Sequence, residues 1–234
     1  MIRDDLKNIG HFALYILISF VITACAGGEP AAQVLKPATV SGARIELHLI
    51  PGKHYSKDMN ILIFKYTVQP QVAAWIESPE GRYLDTLYVT EAAATKKYRA
   101  APKQGRPEAL PVWFARKTGA VDAVSAPTAL DTAVHYGNGI AARLPAGNYT
   151  IMLEVNRSYD WNETYSKKNS GVNGQPSVIY RANLEIGKRP KEVRFEPIGI
   201  GSVDGSDGNI RPNLEGIDTA LELFSSLIVR YLEE

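Results

Sequence analysis

Alternation with a period of two is the feature that most constrains this chain. Ala43, Ile45, Leu47 and Leu49 fall on one side of an extended segment, and Arg44, Glu46 and His48 on the other. That is the pattern of a strand with one buried face. It returns in Tyr149, Ile151, Leu153 and Val155, and again in Val178, Tyr180, Ala182, Leu184 and Ile186. "ILIFKYTV" (61–68) and "QVAAWIES" (71–78) are apolar or β-branched throughout and predict central strands. Pro79 to Gly81 marks a turn before a strand from Tyr83 to Val89, Pro145 and Gly147 mark another, and "KEVRF" adds a short edge. Turn signals at these intervals predict an antiparallel sandwich rather than βαβ units.

Two stretches depart from alternation. From Glu91 to Gly119 the chain carries scattered Pro and Gly, many cations and the pair Trp113 and Phe114; it reads as an insertion made of a short helix and an irregular excursion. At the end, Ile217, Leu221, Phe224, Ile228 and Tyr231 recur at helical spacing. They predict a C-terminal helix packed on the sandwich or covering an open edge, in preference to a partner-binding helix.

The first residues set the expected address. Arg3 and Lys7 precede an uncharged run from Phe12 to Ile22, and Ile22, Thr23, Ala24 and Cys25 form a bacterial lipobox, although Asp4 and Asp5 are unusual in a signal n-region. The apolar run is too short to span a bilayer comfortably. Residues 1–24 are therefore expected to be a lipoprotein signal peptide, and Cys25 the lipidated residue. Several acyl chains on Cys25 would anchor the chain to a membrane without a protein span, and Ala26 in the next position favours the outer membrane in a cell that has two. Cys25 is the only cysteine, so the domain is expected to rely on its core rather than on disulfides. "AGGEPAAQVLKPATVS" lacks periodicity and makes 25–41 a lipidated tether, leaving 42–234 as a single domain. A formal net charge of +1 argues against nucleic acid as a partner.

Motifs of chemistry are sparse. None of His11, His48, His54 and His135 lies two to four residues from another histidine, and H-E-x-x-H, C-x-x-C-H and G-x-S-x-G do not occur. No metal site and no nucleophile are expected. Asp204, Asp207, Asn209 and Asn213 carry enough oxygens to suggest calcium. Counted back from Gly208, however, an EF-hand frame would put Val203 and Gly205 at ligand positions, so a Gly/Asp turn is the reading. The chemically densest stretch is "NRSYDWNETY", where Tyr159, Asp160, Trp161, Glu163 and Tyr165 stand close together. Amphipathic aromatics beside carboxylates suit a partner-binding surface; a long loop packing its own aromatics is the competing reading.

"VAAWIESPEGRYLDTLYV", "LPVWFARK", "VDAVSAPT", "LPAGNYTIMLEVNRSYDWNETY" and "NGQPSVIYRANLEI" occur in this order. Through them the chain resembles domain-of-unknown-function family 2271, a family of predicted periplasmic proteins, over about Ile45 to Leu221. The resemblance implies an all-β, antiparallel, immunoglobulin-like β-sandwich and no established activity; the sandwich reading, the lack of a nucleophile or metal constellation and the aromatic-acidic stretch give the expectation that the chain is not an enzyme. The resemblance also implies the company of periplasmic or membrane redox proteins, including flavin transferases. "VDAVSAPT" is close to the acceptor pattern for covalent flavin, with Asp122, Ser125 and Thr128 matching and Ala126 and Pro127 replacing Gly and Ala. Pro127 stiffens the segment where close backbone approach is needed. The leading expectation is a lipid-anchored extracytoplasmic binding or accessory protein without a cofactor. The alternative is an electron carrier with FMN on Thr128.

Overall fold

A computed structural model describes residues 42–61, 64–98, 105–119, 134–136, 139–187 and 189–233. Antiparallel strands dominate these residues, and helices are few and short. β1 (Arg44–Pro51) bears out the alternation in its sequence: Ile45, Leu47 and Leu49 are buried. β2 (Lys57–Ile61) and β3 (Phe64–Val68) form a two-stranded ribbon with Ile61 opposite Phe64. The apolar run at 61–68 is therefore divided between the two arms of a hairpin and is not a central strand. Lys65 and Thr67 point to solvent, bonded or paired to Asp58 across the ribbon.

Next come β4 (Gln71–Glu77) and β5 (Tyr83–Val89), joined by the expected turn, where Gly81 has φ +77° and donates its N–H to Ser78 O at 2.9 Å. The insertion supplies α1 (Glu91–Thr95) and α2 (Pro111–Arg116). β6 (Val134–Tyr136) and β7 (Gly147–Asn156) follow, then α3 (Lys167–Ser170), β8 (Val178–Ile186), β9 (Lys191–Arg194), β10 (Glu196–Ile200) and β11 (Phe224–Leu232). One sheet has the order β6-β1-β11-β9, and a second has β10-β8-β7-β4-β5. Ile45, Leu47, Leu49, Leu227 and Val229 from the first share one buried cluster with Val72, Ile76, Ile151, Leu153, Tyr180 and Leu184 from the second. None of the helices among the described residues is long and apolar enough to cross a membrane.

The expected C-terminal helix is corrected by β11. Only Thr219–Glu222 forms a 3-10 turn, after which the chain runs extended between β1 and β9, pairing Val229 with both Leu47 and Val193. Leu227, Val229 and Tyr231 are buried at a spacing of two. Period two and period 3.6 both pass through Tyr231, and the open flanks of β1 and β9, which need a hydrogen-bonding partner, decide between them. β11 also occupies the interior of its sheet, so it covers no edge.

β4 explains why "VAAWIE" shows no alternation. Val72, Ala74 and Ile76 belong to the cluster between the sheets, whereas Ala73 and Trp75 face a second cluster on the opposite side. That second cluster is the underside of the insertion: Ala93, Ala109, Leu110, Val112 and Trp113 pack there on Val89, Met152 and Ile179. The described parts of this stretch, 91–98 and 105–119, thus form a roof over the five-stranded sheet. Lys117 Nζ lies 5.5 and 5.3 Å from the ring centroids of Trp113 and Phe114, closing the roof on its outer side.

Candidate functional site

β7 ends at Asn156, and the chain turns sharply through Arg157, Ser158 and Tyr159. Tyr159 has φ +61°, a conformation L-residues with side chains seldom adopt. The turn holds because Tyr159 N donates to Val172 O at 2.7 Å, and Gln175 N donates to Asp160 O at 2.9 Å. Gly174 is required here, since a Cβ on it would lie 2.4 Å from the Asp160 backbone. The loop that follows is also tied down. Asn162 Oδ1 accepts from Tyr165 N at 2.8 Å and its Nδ2 donates to Gly216 O at 2.8 Å, while Trp161 Nε1 donates to Gly171 O at 2.8 Å.

An open recess of about 310 Å³ lies beside this turn, lined by His54, Ser56, Lys57, Arg157, Asp160, Trp161, Asn162, Asp218 and Thr219. Arg157 and Asp160 form a buried ion pair at its base, their side chains only 4% and 5% exposed. Arg157 also donates to His54 O from the connection between β1 and β2. Thr219 Oγ1 donates to Asp160 Oδ1 at 2.8 Å and accepts from Gln175 Nε2 at 2.7 Å. Gln175 Nε2 reaches Asp218 Oδ1 at 2.7 Å, and Asp218 N returns a bond to Gln175 Oε1 at 2.9 Å. Burial alone would push the Asp218 carboxyl up. Hydrogen bonds from Thr219 N–H and from the Asn162, Thr219 and Gln175 side chains outweigh it and hold the group below its ordinary value. Lys57 Nζ donates to Tyr159 O at 2.7 Å and lies 5.9 Å from the Trp161 ring centroid; Tyr159 meets that ring edge-on at 5.6 Å.

Polar satisfaction is incomplete beneath the recess. Of the residues that line it, Arg157 and Asp160 each keep one buried atom, Nε and Oδ2, that makes no hydrogen bond. Buried polar atoms in folded proteins nearly always have partners, so two in one ion pair stand out.

Of the five residues singled out from sequence, the structure brings Asp160 and Trp161 into the recess. Tyr159 supports Trp161 from the side, Tyr165 packs against the main core, and Glu163 is exposed outside the lining. The aromatics of the stretch pack locally, and Trp161 also borders the recess. His54, Ser56, Lys57, Arg157, Asp218 and Thr219 were missed. Arg157, three residues before Asp160, was the one local signal available.

The other candidates fall elsewhere. Asp204 Oδ1 accepts from Ser202 Oγ at 2.6 Å and Ser206 N at 3.0 Å, and Asp207 pairs with Arg211 at 2.8 Å, so both carboxylates are used in holding a turn. Among the described residues no group of three His, Cys, Asp or Glu could hold a metal ion. Glu154 is a perturbed carboxyl, pushed up to about 7 by burial. It accepts from Val112 N at 3.2 Å, Trp113 N at 2.7 Å and Ser177 Oγ at 2.7 Å, which fixes α2 to the sheet rather than opening to a cleft. Cys25 and Thr128, with Asp122 and Ser125, lie outside the described residues. No protein-family model, curated protein or solved structure matches this chain.

Proposed function

We propose that the chain is a lipid-anchored extracytoplasmic binding or accessory protein. Its two sheets form an immunoglobulin-like sandwich, and the recess bordered by Trp161 is its contact site. The observation that carries this reading is the pre-formed concavity itself: side chains from three distant parts of the sequence converge there, held by the Arg157, Gln175 and Asp218 bonds before any ligand arrives. Such preorganisation lowers the ordering cost of association. The lipobox ending at Cys25 supports the anchor, and the resemblance to family 2271 supports a partner among periplasmic or membrane redox proteins.

Replacing Trp161 with Ala removes the aromatic border. The full-length chain is used as bait in envelope extracts, beside the Trp161→Ala variant and the double variant Trp161→Ala, Tyr165→Ala. Partner capture should fall in the single variant and no further in the double one, because Tyr165 packs on the core. Undiminished capture by both would remove this surface from the function.

A further inference from the structure

Resting on the reading of the recess as a binding site, we infer that its ligand is a neutral, hydroxyl-rich molecule: a saccharide unit. Charge excludes the alternatives first. Two cations, Lys57 and Arg157, share the lining with two carboxylates, Asp160 and Asp218. A small anion would meet both carboxylates, with Glu222 standing beside His54 at 3.2 Å on the rim; a small cation would meet Lys57 and Arg157. Opposing charges at this spacing leave no net field to favour either sign.

The walls then select among neutral ligands. An apolar molecule would strip water from carboxylate, guanidinium, amide and hydroxyl groups and return no hydrogen bonds. Hydroxyl groups both donate and accept, and the lining mixes acceptors, the carboxylates of Asp160 and Asp218, with donors, the Lys57 ammonium and the Asn162 amide, and with the hydroxyls of Ser56 and Thr219. Arg157 and Asp160 line the recess more than nine-tenths buried, and their Nε donor and Oδ2 acceptor lie unpartnered beneath its surface.

Trp161 adds the second requirement. A sugar ring has an apolar C–H face as well as a polar rim, and a half-buried indole beside polar side chains matches both at little cost in side-chain entropy. The indole is fixed by its bond to Gly171 O and by Tyr159 against its edge, so it is a preset platform. A volume of about 310 Å³ is at the small end of ligand sites, suited to one or two sugar units with the remainder of a glycan in solvent.

The test is saturation-transfer NMR on the full-length chain in a zwitterionic detergent, with methyl β-glucoside, N-acetylglucosamine and maltotriose as probes. Inorganic phosphate and triglycine serve as competitors. At least one saccharide should receive saturation on its ring protons. Trp161→Ala should weaken that binding by at least about tenfold, whereas Phe114→Ala, on the opposite face of the five-stranded sheet, should leave it unchanged. Circular dichroism melting of each variant separates lost binding from lost folding, and Ser56→Ala, at an exposed position, provides a second variant that leaves the buried network intact. The assignment is overturned if no saccharide binds the wild type, or if phosphate or triglycine binds at the recess in its place. Should saccharides fail while Trp161→Ala still reduces partner capture, the saccharide assignment alone is lost. Failure of both responses would remove the binding-site reading as well.

Discussion

Glu154 and Asp160 are both buried carboxylates at the end of β7, on its two sides, and their surroundings differ in one respect. Around Glu154 three donors, Val112 N, Trp113 N and Ser177 Oγ, account for the carboxylate, and the group is sealed under the insertion. Around Asp160 the Arg157 guanidinium and Thr219 hydroxyl address one oxygen, and Oδ2 is left over at the base of an open recess. The first arrangement spends its polar groups on holding a helix to a sheet. The second leaves one carboxylate oxygen buried without a partner beneath a surface recess, so its polar groups are not all used up in holding the fold.

Two tryptophans make the comparison testable. Trp113 is fully buried with Nε1 donating to Thr86 Oγ1 at 2.9 Å, and Trp161 is half-buried at the recess. Trp113→Ala should cost about 4 kcal/mol in urea unfolding, and Trp161→Ala less than about 1 kcal/mol. Equal costs would erase the distinction between roof and rim. Next in size, Arg157→Met leaves the Asp160 charge buried without its partner and should cost about 3 kcal/mol, with part of the loss recovered by adding Asp160→Asn. If the single variant is as stable as wild type, the recess base is not an ion pair in solution.

The smallest effect is in pH. The Glu154 carboxyl is held near 7 in the folded chain against an ordinary 4.5, so on raising the pH the unfolded chain releases this proton first. The group's contribution to stability is fully present below about 4.5, declines as the pH rises towards 7 and is flat above. The decline amounts to roughly 3 kcal/mol. Subtracting the unfolding profile of Glu154→Gln from that of wild type isolates it; a difference that does not change between pH 4.5 and 8 would contradict the burial account.

Much of the sheet framework was legible because strands with one wet face must alternate, as Ile45, Leu47 and Leu49 do. β4 was recognisable as central but not as buried on both faces, since nothing in "RPEALPVWFARK" announces that Leu110, Val112 and Trp113 fold back onto Trp75. β11 was misread because Phe224, Ile228 and Tyr231 satisfy the helical period by coincidence, and pairing partners 184 residues away, such as Glu46 for Arg230, carry no local mark. The recess was half legible for the same reason. Asp160 and Trp161 sit in a conspicuous stretch, whereas His54 reaches Arg157 across 103 residues and Asp218 reaches Gln175 across 43.

β4 has one more consequence. Its backbone is paired on one edge to β5 and on the other to β7, and its side chains are roofed above and below. Its amides bonded to β5 can meet deuterium when that edge strand frays, whereas those bonded to β7 need the interior of the sheet to open. The insertion residues packed on β4 cannot lift away without uncovering Trp75, so opening of the roof carries the cost of exposing a buried indole.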